Sequence, residues 1–290
     1  MSFSDVIKAW ESDGQYINIL GFDIWYIDHN PSAQNTLCFL HGYPTCSFDY
    51  KDVLDKFPEH RIIIHDHLGF GLSAKPLNNE YKLKFQADIA LALYQILNLE
   101  SFYLFAHNYG TSIATEIMYR ENAKALNFKI IKYILCNGSM LIDMSKLRPI
   151  QKMLKHNLLG PLVARLASER TFVRNMKNIW YDKSKANLPD FKILWQLILH
   201  NNGRKVLPQI TKYIDQRFQH YDRWIGALEE TEKEVLILWA EDDPVAVIAM
   251  ADVLEQKIKH STKVTIEKTG HYPMIENVDS FSRFLKAYIP

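Results

Sequence analysis

Two hydrophobic periods alternate along the chain. Short, nearly continuous apolar runs at Thr36–Leu40 (TLCFL), Arg61–His65 (RIIIH), Phe102–Phe105 (FYLF), Ile130–Cys136 (IIKYILC) and Glu234–Trp239 (EVLILW) read as strands buried on both faces. Between them apolar residues recur at helical spacing. Phe85, Ile89, Leu93 and Ile96 share one face of a helix predicted over Tyr81–Leu97, and Ile113, Ile117 and Met118 mark another over Thr111–Tyr119. The spacing also predicts an amphipathic helix over Ser2–Trp10, an antiparallel hairpin (Gln15–Leu20, Phe22–Ile27) around Gly21, and a helix over Phe48–Phe57. A helix at Val245–Lys257, a strand at Lys263–Ile266 and a closing helix at Val278–Tyr288 complete the pattern. Strands alternating with helices imply a mostly parallel sheet with right-handed crossovers. The alternation lapses between Cys136 and Glu234, where the chain is helical and aromatic with Pro149, Pro161, Pro189 and Pro208 as breaks. The predicted organisation is therefore an α/β core over residues 1–138 and 232–290 with a helical lid at 139–231.

Composition narrows the function classes. The 290 residues carry a formal charge of +1, which gives no electrostatic reason to expect nucleic acid or an anionic membrane as partner. No apolar run is long enough to span a bilayer, and the N-terminus lacks a basic stretch followed by an apolar one, so the expectation is a soluble, cytoplasmic protein acting on a small molecule. Its oligomeric state is left open. The three cysteines lack metal spacing and read as reduced structural thiols. His65 and His67 flank Asp66 without a third convergent ligand, and Gly69-x-Gly71 lacks the third glycine of a dinucleotide loop. No metal or cofactor is expected.

The chemistry concentrates in AHNYG, residues 106–110. A strand passes through this tight turn directly into a helix, the setting of a nucleophile elbow, with small residues Ala106 and Gly110 on either side of the central Asn108. HGYP at 41–44 follows the first core strand, where an elbow hydrolase places part of its oxyanion hole. The backbone N–H groups of Tyr43 and Tyr109 are the expected donors. WAEDDPV offers Asp243, beside Pro244, as the carboxylate of a triad, and KTGHYP offers His271 as its base. Asp242 would instead point outward or cap the next helix. Asn108 breaks the set, because a carboxamide is a poor nucleophile. Neither Ser112, inside the following helix, nor Ser139 has the setting to replace it.

HGYPTCSFDY, HDHLGFGLSAKP, AHNYG, WAEDDPV and GHYPMIEN together resemble the α/β-hydrolase superfamily over nearly the whole chain. The resemblance is to the branch of epoxide hydrolases and haloalkane dehalogenases, and within it to the mesoderm-specific transcript group and its bacterial relatives, which share lid stretches like YIDQR and RWIGAL. It implies an aspartate at position 108, which would attack carbon to give an alkyl-enzyme ester, later hydrolysed by water activated by His271 and Asp243. On this reading the chain is a hydrolase of a small, largely apolar substrate, epoxide hydrolase-like, carrying an Asp-to-Asn change at its nucleophile. A naturally non-catalytic ligand-binding protein is the alternative, as is slow hydrolysis of Asn108 to aspartate. A haloalkane dehalogenase or a β-lactone-processing relative also remains open. Tyr43 and Tyr109 stand where dehalogenases keep halide donors, which weakens that option. The resemblance to epoxide hydrolases calls for a lid tyrosine as hydrogen-bond donor, and Tyr213 or Tyr221 is the expected one because both lie late in the lid.

Overall fold

The computed structural model describes residues 2–145 and 147–289. Its strands are β1 (Gln15–Ile19), β2 (Phe22–His29), β3 (Asn35–Leu40), β4 (His60–His65), β5 (Ser101–His107), β6 (Lys129–Cys136), β7 (Val235–Ala240) and β8 (Ser261–Ile266). They form one sheet in the order β1-β2-β4-β3-β5-β6-β7-β8. The β1–β2 and β2–β4 pairings are antiparallel and the rest are parallel. This is an α/β-hydrolase fold, as the block pattern of the sequence implies.

The apolar runs are continuous because both sheet faces are covered. Along β5, Phe102, Leu104 and Ala106 enter one apolar cluster with the helices Leu83–Ile96 and Tyr109–Asn122, while Tyr103 and Phe105 enter a second with Phe281 and Leu285 of the closing helix. Register then positions the site. Leu40 lies opposite Ala106, and His107 opposite Cys136, so β3, β5 and β6 end side by side. The loops after them, carrying Tyr43, Asn108 and Asn137, converge at one sheet edge, the usual ligand position in parallel α/β sheets.

Local chemistry moves several predicted boundaries. The expected helix at 48–57 is a 3-10 turn, Ser47–Tyr50, running into the single turn Lys51–Leu54. Its start is tied to the neighbouring loop by the Ser47 N–H on Asp66 Oδ1 (2.8 Å), and Pro58 follows. The helix expected from Tyr81 begins at Leu83. Tyr81 has φ 48° and is held by its N–H on Asn79 Oδ1 and its hydroxyl on the Pro76 carbonyl. The helix expected from Val245 begins at Ile248, because the Val245 N–H is committed to Asp243 Oδ1 at 2.7 Å.

Between β6 and β7 lie the helices Pro149–Leu154, Leu159–Leu166, Glu169–Lys177, Leu188–Leu199, Gly203–Thr211, Tyr213–Gln219 and Tyr221–Glu230. Pro149 and Pro189 sit in helix starts, where a missing N–H costs nothing. Pro208 does not break its helix. It lies one turn into Gly203–Thr211, so only the Arg204 carbonyl forgoes a partner. The last of these helices packs beside the elbow helix Tyr109–Asn122.

Candidate active site

Asn108 occupies the turn between β5 and its helix with φ 51° and ψ −104°. A non-glycine residue held there costs about 1–3 kcal/mol, which the surroundings must outweigh. Close packing enforces it. A Cβ on Gly110 would lie 2.3 Å from the Leu40 carbonyl oxygen, and one on Gly42 would lie 2.7 Å from His107 Nδ1, so only glycines allow these chains to approach. From below, the Arg217 guanidinium donates to the Asn108 carbonyl (2.9 Å) and to Ser112 Oγ (2.8 Å), with its charge 4.8 Å from the Tyr213 ring centroid. Arg217 is buried, and burial lowers its pKa from the ordinary arginine value, with Tyr213 and Tyr109 working against that.

The Asn108 side chain bridges two loops. Its Oδ1 accepts the Tyr43 N–H at 3.2 Å, and its Nδ2 lies 2.5 Å from His271 Nε2. His271 Nδ1 is 2.6 Å from Asp243 Oδ2, so a proton on Nδ1 leaves Nε2 as the acceptor facing the elbow. Asp243 is fixed in turn by Asn137 Nδ2 (2.8 Å) and the Val245 N–H, while Asp242 is exposed. His107 Nε2 pairs with the His271 backbone carbonyl at 2.8 Å and anchors the histidine loop on the elbow. Burial pushes the pKa of His107 well below the usual histidine value, so it serves as a neutral strut.

Behind the HGYP loop three buried histidines interlock. His41 Nε2 accepts the His67 N–H at 3.0 Å, and His67 Nδ1 meets His65 Nε2 at 3.2 Å. Burial lowers His41 and His65 to about 3, which keeps them neutral at physiological pH.

Above Asn108 and His271 opens a cavity of about 300 Å³ walled mainly by apolar side chains such as Leu154, Val163, Met176 and Trp195. Arg148, Gln151 and Asn175 are polar groups on its wall. The structure thus brings Asn108, His271, Asp243 and the Tyr43 backbone together. As the first residue of its helix, Tyr109 leaves an N–H without an intrahelical partner beside them.

It does not place the expected tyrosines on the cavity. Tyr213 is buried with its ring against Tyr43 (5.3 Å) and Tyr109 (5.1 Å), and its hydroxyl takes the Gln151 amide at 3.3 Å. Tyr221 is partly buried against the same apolar cluster as Tyr213 and is not among the residues that line the cavity. The tyrosines that do line the cavity, Tyr43 and Tyr272, have committed hydroxyls, on Thr211 Oγ1 (2.8 Å) and on the Tyr43 carbonyl (3.2 Å). Position late in the lid does not report which way a ring faces. Two supporting residues, Arg217 and Asn137, were not expected. Neither had a local signal: Arg217 sits in the mixed stretch YIDQRF beside Asp215 and Gln216, and Asn137 had only its place after a buried strand.

The family model described as alpha/beta hydrolase fold matches residues 35–278. Among curated relatives, a protein named as a hydrolase, LipZ of Mycobacterium tuberculosis, is 31% identical over 94% of either chain. The mesoderm-specific transcript homolog protein of Homo sapiens is 29% identical over 99% of this chain and 88% of its own. Among solved structures, the epoxide hydrolase CorEH superposes with a TM-score of 0.77 at 16% identity, covering 95% of this chain and 97% of its own. A haloalkane dehalogenase DbeA loop variant from Bradyrhizobium elkanii does so with 0.76 at 19%, covering 95% of each. At such identities these two likenesses speak for the fold alone.

Proposed function

The chain belongs to the alpha/beta hydrolase fold family, and from that premise we propose that it is the disarmed form of a hydrolase whose nucleophile is a carboxylate at position 108. The observation that carries this is the two-atom head of Asn108. One atom takes the Tyr43 N–H and the other faces His271 Nε2. A carboxylate has the same shape and would put one oxygen in the oxyanion hole and the other toward the cavity. A serine hydroxyl has a single oxygen and cannot fill both places. Attack by the outward oxygen on an electrophilic carbon forms an ester, and the leaving oxygen or halide takes up a proton or departs as an anion. His271, oriented by Asp243, then deprotonates a water that adds to the ester carbonyl, whose developing charge falls to the Tyr43 and Tyr109 N–H groups.

The substrate class is small and largely apolar, in keeping with the cavity wall, and the chemistry is epoxide hydrolase-like. Arg148, Gln151, Ser168, Thr171 and Asn175 put hydrogen-bond donors on that wall, so stabilisation of an epoxide oxygen falls to them, with the opened alkoxide taking its proton from water, unless the lid rearranges to bring a tyrosine in. Residues 139–231 serve as the lid over the core at 1–138 and 232–290.

One observation favours a second reading. Asn108, His271 and the Tyr43 N–H satisfy one another without any substrate, as expected of an inert ligand-binding pocket. The two are separated by assaying this chain and its Asn108→Asp variant against epoxides, haloalkanes, β-lactones and esters, with intact mass recorded before and after. Turnover by the variant alone supports the disarmed hydrolase and identifies its substrate class. Absence of turnover and of any covalent adduct in both forms, with ligand still bound, supports the binding protein. Conversion of the unsubstituted chain to aspartate during incubation would show that the site repairs itself.

A further inference from the structure

The near-neutral charge of the whole chain conceals a local asymmetry. Residues 147–178 contain Arg148, Lys152, Lys155, Arg165, Arg170, Arg174 and Lys177 against a single acid, Glu169. That leaves a surplus of six positive charges on three consecutive helices of the lid, in a protein whose total is +1. Among the described residues only Lys155 of these cations has a carboxylate partner, Asp215.

The same helices carry the largest concentration of exposed apolar side chains. Leu158 and Leu166 are 83% and 72% exposed, the highest of the large hydrophobics, and Met153, Leu159 and Leu162 join them within a few turns. On the helix Leu159–Leu166 the inward positions are Gly160 and Ala164, whereas Leu162 and Leu166 face outward. The leucines therefore sit on solvent while Gly160, Val163 and Ala164 face the protein, so the bulkiest apolar side chains of the helix are on its outer face, unlike a helix that merely packs onto a core. Leu166 also lines the cavity above Asn108, so that cavity reaches the surface within the leucine patch.

We propose that the lid face formed by Pro149–Leu154 and Leu159–Leu166, with the cations of Glu169–Lys177, docks on an anionic lipid bilayer surface and opens the cavity toward the membrane. Exposed leucines flanked by unpaired lysine and arginine are the combination that seats a helix in the headgroup region, the leucines entering the acyl boundary and the cations meeting lipid phosphates. No described helix is long and apolar enough to cross a membrane, so the contact is peripheral. A nucleic acid would match the charge but not the leucines. A second copy of the chain would cover the leucines but would set two cationic faces against each other. The surface stands whether or not position 108 is catalytic. If it is, an apolar substrate dissolved in the bilayer reaches His271 without crossing water.

The test uses the full chain and sedimentation with vesicles of phosphatidylcholine alone or containing about one-third phosphatidylglycerol. The expected result is cosedimentation with the anionic vesicles, weaker with the neutral ones, and declining between roughly 50 and 500 mM salt. Leu158→Asp with Leu162→Asp, both at exposed positions, should lower the bound fraction by about tenfold or more, and Lys152→Glu with Arg165→Glu should do so independently. Circular dichroism of each variant checks that the fold is retained. Lack of binding to anionic vesicles overturns the proposal, as does binding that both double variants leave unchanged. Reversible dimerisation abolished by the leucine substitutions, without vesicle binding, would assign the face to a second copy and overturn it equally.

Discussion

Glu116 is the residue through which the helix Tyr221–Glu230 is clamped to the elbow helix. It is fully buried, yet its carboxylate receives Arg223 Nε and Nη2 (2.8 Å each), Arg120 Nε (2.9 Å) and Trp224 Nε1 (2.9 Å). Burial alone would raise its pKa. The hydrogen bonds from Arg223, Trp224 and Arg120 outweigh burial and hold it down, from 4.5 to about 2. At about 1.4 kcal/mol per pH unit, this depression sets an upper figure of roughly 3–4 kcal/mol. Arg120 and Arg223 are 22% and 29% exposed, so solvent screens part of it, and about 2 kcal/mol is the working value. The folded-state pKa is the depressed one. The contribution is therefore complete above pH 4.5 and is lost as pH falls toward 2. Glu116→Gln removes the charge and turns an amide N–H₂ toward a guanidinium. We expect its urea midpoint at pH 7 to fall by about 0.7 M, taking a slope near 3 kcal/mol/M for a chain of this size. The gap between variant and parent should then close as the titration is carried below pH 4.5. A gap that stays constant down to pH 3 would refute the reasoning and show that the loss is one of packing.

Arg217→Met should leave the buried Asn108 carbonyl and Ser112 hydroxyl without their charged donor, costing about 1–3 kcal/mol. In the Asn108→Asp background it should also lower turnover more than it raises KM, with partial rescue by Arg217→Lys; an unchanged rate would remove Arg217 from the site. Gly110→Ala places a methyl 2.3 Å from the Leu40 carbonyl oxygen, and its denaturation midpoint should report a loss of at least about 2 kcal/mol. His41 and His65 are held neutral with pKa values near 3 against an ordinary 6.5, so the unfolded chain binds protons first as pH falls. Stability is expected to decline from pH 6.5 toward 3, and His65→Asn should flatten that slope; an identical slope would assign the acid sensitivity elsewhere.

How much of this was legible beforehand depended on whether the signal was local. The strands β3, β4, β5, β6 and β7 are apolar on both faces, and that doubly buried run is visible in sequence without knowing its neighbours. The chain order of Asn108, Asp243 and His271, each just past a strand end, was legible for the same reason. Boundaries set by side chains of other segments were not. Nothing in the residues around Val245 announces that its N–H serves Asp243, or that Tyr81 is pinned to Pro76. The facing of Tyr213 and Tyr221 depends on how several short helices stack, and no spacing within one helix encodes that. Whole-chain charge is silent in a different way, since a balanced total says nothing about where the balance is struck. The arginines and lysines of 147–178 are offset by acids elsewhere in the chain.

The account stands or falls on what a carboxylate at position 108 does. The direct measurement is a single turnover of the Asn108→Asp variant in heavy-oxygen water, with excess enzyme, followed by mass analysis of the elbow peptide and of the product. We predict that the heavy oxygen enters the carboxylate at position 108, because water attacks the ester carbonyl between His271 and the Tyr43 N–H. Label found only in the product, or no turnover of any substrate class that binds the cavity, would contradict it.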